Sequence, residues 1–77
     1  METLIGKKVL HGSPCYENEE TIAKVCIDPK WPDLITIEFE SDFFTRISPA
    51  ELEELKQDGE IHYRNRHHNG LEVMILE

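Results

Sequence analysis

Several classes of protein are excluded by what this sequence has little of. Two cysteines in 77 residues, Cys15 and Cys26, are too few for a disulfide framework. Cys26, between Val25 and Ile27, reads as a small reduced residue of a strand, and Cys15 sits among loop residues. No apolar run approaches the ~20 residues that a bilayer crossing requires. The opening Met-Glu-Thr-Leu-Ile-Gly-Lys-Lys has no basic region followed by an apolar stretch, so no secretion signal is expected and the cytoplasm is the expected compartment. Bases are scarce: eight Lys and Arg against 16 Asp and Glu leave a net charge of −8. That balance disfavours direct contact with a nucleic-acid backbone, where cations must replace counterions. Glycine-rich phosphate loops, a nucleophile elbow and an HExxH helix are all missing, so neither catalysis nor a cofactor is expected.

What is present describes one small domain spanning residues 1–77. Residues of the set AVILMFWYC make up 39% of the chain, enough for one core and too few for two. The acidity is concentrated in the first sixty residues, mainly in Glu17, Glu19 and Glu20, in Glu38, Glu40 and Asp42, and in Glu51, Glu53, Glu54, Asp58 and Glu60. Such a surface keeps a small protein soluble and also suits a partner with a basic face.

Strand signals dominate. Residues 34–40 alternate Ile35, Ile37 and Phe39 against Thr36, Glu38 and Glu40, which predicts a strand buried on one side. Ser41-Asp42 then turns the chain into a second strand over 43–47, a tight hairpin. Residues 21–27 predict another strand, with Ala23, Val25 and Ile27 on one face, and residues 4–11 a weaker one. Residues 12–20 hold Gly, Ser, Pro, Asn and a run of Glu and are predicted as a long loop; residues 28–33, with two prolines, form a second.

The sharpest local signal is Ser48-Pro49-Ala50-Glu51, a capping box with proline at the first helical position. Glu51, Glu53 and Glu54 suit the positive end of the helix, Lys56 the negative end, and Gly59 stops it. A closing hairpin pairs 61–67 with 71–76. The three-residue loop His68-Asn69-Gly70, with Tyr63 opposite Ile75 and Arg66 opposite Glu72, separates apolar from charged pairs better than a two-residue turn.

Strand, long acidic loop, strand, medium loop, strand, tight hairpin, strand, short helix, strand: this order resembles the SH3-like barrel shared by SH3, Tudor-like and related domains. The resemblance lies in layout over roughly residues 4–66. It implies a mostly β fold, a small SH3-like β-barrel of five to six antiparallel strands with one short helix. In SH3 domains a peptide groove is lined by aromatics from the first loop, a tryptophan after the second and a proline beside the helical turn, with acids selecting basic peptides. The resemblance therefore implies a binding face made of Tyr16, Trp31 and Pro49 with Glu17, Glu19 and Glu20, docking a basic protein partner. The sequence departs from those domains in lacking an Ala-Leu-Tyr-Asp-Tyr run and in its longer helix.

Two other readings are compatible with the same residues. A small acidic inhibitor, of the kind found on phages and mobile elements, would imitate nucleic-acid phosphates with its carboxylates. A metal-binding accessory protein would use His11, His62, His67, His68, Cys15 and Cys26, but their spacing lacks the paired ligands of a structural zinc site, so no metal is expected.

Overall fold

The computed structural model describes residues 4–13, 16–66 and 70–77, and of Tyr16 only the backbone. Six strands and one helix follow in the order β1 (Lys8–Ser13), β2 (Tyr16–Cys26), β3 (Ile35–Phe39), β4 (Phe44–Ile47), α1 (Pro49–Asp58), β5 (Glu60–Arg64) and β6 (Leu71–Leu76). All pairings are antiparallel, in the spatial order β4-β3-β2-β1-β6-β5. The fold is thus mostly β with six strands and one helix. The expected barrel is not closed by a ladder, because β4 and β5 are the two edges of the sheet.

The predicted loop over 12–20 is a correction. Glycine and polar residues there suggested irregular chain, yet β1 runs on to Ser13 and β2 begins at Tyr16. Gly12 stands opposite Glu17 and Leu10 opposite Glu19. The ladder supplies backbone hydrogen bonds that outweigh poor strand propensity. At the other end of β1, the strand predicted from residue 4 starts only at Lys8. Gly6 takes a left-handed φ of 88°, and its N–H donates to the Ile22 carbonyl, so the chain turns and tucks Leu4 into the core.

β2 joins the two halves of the sheet: its first part pairs with β1 and its second with β3. Between them the register shifts, Ile22 facing Phe39 but Lys24 facing Glu38, so Ala23 is an extra, bulged residue. The bulge changes the phase of the alternation. Ile22 is fully buried and Val25, three positions on, packs against the same core, whereas Ala23 and Ile27 are exposed. The predicted Ala23–Val25–Ile27 face is corrected accordingly.

Curling at the bulge wraps the sheet around Val9, Ile22, Ile37, Phe39, Ile61 and Met74, and α1 closes one side with Leu52 and Leu55. The helix forms as its sequence predicts. Ser48 Oγ accepts from the Glu51 N–H at 3.1 Å, Glu51 Oε1 accepts from the Ser48 N–H at 2.8 Å, and Gly59 ends the helix at φ 77°. No helix among the described residues is long and apolar enough to cross a membrane.

The last hairpin is a second register correction. Tyr63 faces Glu72 and Arg64 faces Leu71. Keeping charge away from apolar residues was the wrong criterion, because the Glu72 carboxylate turns inward as a hydrogen-bond acceptor. Asn65, 1% exposed, ends β5 by donating its N–H to the Gly70 carbonyl at 2.8 Å. The turn assigned to His68, Asn69 and Gly70 has its first two residues outside the described ones.

Candidate functional site

The polar residues gather in three places. The first is inside the sheet, at the gap between its edges. Alternation along β6 turns Glu72 and Met74 toward the interior, and there one oxygen of Glu72 gathers partners from several strands. His11 Nε2 lies 2.7 Å away, the Tyr63 hydroxyl donates at 2.9 Å, Asn65 Nδ2 at 3.0 Å, and Thr45 Oγ1 at 3.4 Å. Thr45 Oγ1 and the Tyr63 hydroxyl are themselves 2.8 Å apart. The His11 ring also packs on Phe39, centroids 4.9 Å apart.

Ionisation follows from these contacts. Burial opposes the Glu72 charge, but the His11 hydrogen bond and charge, with Tyr63 and Asn65, outweigh it and hold the carboxyl below its ordinary range. Burial of Tyr63, with the charge of Glu72 beside it, pushes the phenol far above its usual value although the Thr45 hydrogen bond acts the other way.

The second place is on the outer face of β5 and β6. Leu71, Val73 and Ile75 alternate outward and line a half-open cleft of about 780 Å³, beside Ser13 and Glu17. Gly12, directly opposite both Val73 and Glu17, adds no side chain to this face. Leu71 is 57% exposed. Charged pairs border the cleft: His62 with Glu60 at 2.6 Å, and Arg66 with Glu51 at 3.1 Å.

The third place is Trp31. The predicted convergence of two loops is absent, because β2 runs its whole length between Tyr16 and the 27–34 connection. Glu17 and Glu19 point outward from β2, while Glu20, on the opposite face, is buried and accepts from Ser41 Oγ at 2.7 Å. Pro49 is the exposed first residue of α1. Trp31 is 45% exposed, and the cation over its ring is the chain's own: the Arg46 guanidinium lies 5.4 Å from the Trp31 ring centroid and 4.9 Å from that of Phe44. Asp28 holds Arg46 at 3.3 Å and accepts from the Lys30 N–H at 2.9 Å. The Lys30 hydrogen bond, more than Arg46, draws the Asp28 carboxyl below its ordinary range.

Sequence reasoning missed Arg46, Thr45, Tyr63, Asn65 and Glu72. Glu72 alone had a signal: it shares a strand face with Met74 and Leu76, an acid in phase with apolar neighbours. That signal was weak because Leu71, Val73 and Ile75 make the other face equally apolar.

Among the described residues no three His, Cys, Asp or Glu side chains converge on a point where a metal ion would sit. His67, His68 and Cys15 lie outside the described residues. Compared with models of known families, with curated proteins and with solved structures, the chain matches none.

Proposed function

We propose that this chain is a non-enzymatic protein-binding module, an open SH3-like sheet that docks a partner with a basic surface through the cleft on β5 and β6. The observation that carries the reading is the cleft itself. A floor of half-buried Ile75 and buried Val73 with Leu71 exposed at its end is the kind of apolar recess that marks an interaction site. Glu17, a residue of the expected binding face, lines it at its margin, and the net charge of −8 steers a cationic protein toward the chain.

Other features fit this better than chemistry or phosphate mimicry. Glu72 and Tyr63, whose ionisation is displaced, are engaged with each other inside the sheet. Glu17 and Glu19 are alternate residues of β2, ~6.5 Å apart along the strand. The acidic row does not continue, because Lys24 follows directly opposite Glu38.

The test is Leu71→Asp, at a side chain exposed enough to change without harming the core. Cross-linking in native lysate, followed by mass spectrometry, should join a basic protein to the cleft residues of the wild type and not to the variant. Capture that is indifferent to Leu71→Asp, or mapped to other faces, removes the cleft from the proposal.

A further inference from the structure

We infer that the open sheet is held shut by an acid-releasable seam, in which the Glu72 carboxylate keeps β4 docked against β5 and protonation of that carboxylate frees the two edges. No ladder pairs β4 with β5 among the described residues. Contacts that cross the gap include a hydrogen-bond chain from Thr45 on β4 through Tyr63 on β5 to Glu72 on β6, a direct bond from Thr45 to Glu72 at 3.4 Å, and the Arg66 N–H donating to the Arg46 carbonyl at 3.3 Å.

The direction of the chain fixes its dependence on charge. Tyr63 donates its one hydroxyl proton to Glu72, so it accepts from Thr45, whose single proton lies between Tyr63 at 2.8 Å and Glu72 at 3.4 Å. The carboxylate is the terminal acceptor that orients both hydroxyls. Hydrogen bonds to an ionised acceptor are roughly twice as strong as neutral ones. Protonation therefore weakens every bond converging on Glu72 Oε1 at once and removes the orientation of the pair that spans the seam.

The charged and polar groups around Glu72 come from every neighbouring element. β1 contributes His11, the cationic partner of Glu72 when protonated. β5 contributes Tyr63, and α1 contributes Glu51, whose charge reaches Tyr63 and which Arg66 already holds. β4 supplies the uncharged Thr45 and β3 the Phe39 ring against His11. On β2, Asn18 faces His11 and Glu20 is bound to Ser41. With its carboxyl held below the ordinary range, Glu72 stays charged at neutral pH and keeps the seam shut. Acid must pass that lowered value before the seam opens.

NMR on the whole chain reads this directly. The carboxyl carbon of Glu72 reports its protonation as pH is lowered from ~7 to ~2, spanning the carboxylate range. The nuclear Overhauser effect between the Thr45 methyl and the Tyr63 ring reports the seam, and that between Ile22 and Phe39 reports the rest of the sheet. The seam signal should fall to about half at the Glu72 midpoint, where half the carboxylates are protonated, while the Ile22–Phe39 signal persists. Simultaneous loss of both signals, or a seam signal that survives protonation of Glu72, overturns the inference. Glu72→Gln, neutral at every pH, should show a seam signal already weakened at neutral pH and without that midpoint; a full-strength neutral signal, or an acid loss identical to wild type, overturns it equally.

Discussion

Thr45 and Tyr63 share a hydrogen bond of 2.8 Å although they stand on strands at opposite edges of the sheet. The phenol also donates to Glu72 at 2.9 Å, so one hydroxyl serves two strands. Removing it leaves two buried partners with a lost contact, at a cost of about 1–3 kcal/mol each way of satisfying them fails.

Tyr63→Phe should therefore lower stability by about 1–3 kcal/mol in urea unfolding at neutral pH. It should also change the alkaline limb. The folded phenol gains its proton affinity from burial, so its pKa lies above the unfolded value of about 10. The stabilisation it brings is complete below that unfolded value and falls as pH rises above it. The wild type should lose stability steadily above pH ~10 from this group, and the phenylalanine variant should lack that component. Identical alkaline slopes would place Tyr63 in contact with solvent.

Trp31 and Arg46 separate a binding role from a structural one. The ring is half exposed and covers Arg46, which Asp28 and Phe44 also hold. Trp31→Ala should cost about 0.5–2 kcal/mol, the range of a cation–π contact that is partly desolvated. The 3–5 kcal/mol of a core aromatic is not expected. Arg46→Ala should cost more than Trp31→Ala, since it removes the guanidinium common to both rings and the carboxylate. Thermal melts of the two variants, compared directly, decide the order.

Ala23 carries the phase change of β2. As an exposed bulged residue, Ala23→Lys should alter stability by no more than about 0.5 kcal/mol. Deleting Ala23 removes the extra residue and leaves Ile22 and Val25 two positions apart, on one face of a regular strand. Both therefore stay in the core, and the deletion should cost less than the ~2–5 kcal/mol of expelling one large apolar side chain. A deletion variant destabilised by about 2–5 kcal/mol in thermal melts would show that the bend at the bulge, and not the phase alone, seats β2.

The sequence was legible where one local rule decides the outcome. Ser48, Pro49, Glu51 and Gly59 mark both ends of α1 through contacts within a few residues, and those contacts are present. Ile35, Ile37 and Phe39 alternate cleanly, and the strand follows them. It was not legible where distant chain decides. Residues 12–20 look irregular alone, and only pairing across β1 makes them strand. The phase of β2 depends on a single inserted residue that no composition marks. The candidate site was legible only in part: Glu17 lines the cleft, but Glu20 is buried and Trp31 already stacks against Arg46. Which face a glutamate takes depends on the acceptor needs of side chains such as Tyr63 and Asn65, far away in sequence.

The pairing of β1 with β6 also sets an order of events. His11 and Glu72 are 61 residues apart, whereas the β1–β2, β3–β4 and β5–β6 pairs each join neighbouring strands of the chain. Hairpins form in about 1–10 μs, and bringing together residues so far apart carries a larger loop-closure entropy. The strands tied by His11 and Glu72 are thus expected to meet last, and contacts made after the rate-limiting step act on unfolding and not on folding. Substitutions at these two residues should shorten the lifetime of the native state while leaving the speed of refolding almost unchanged.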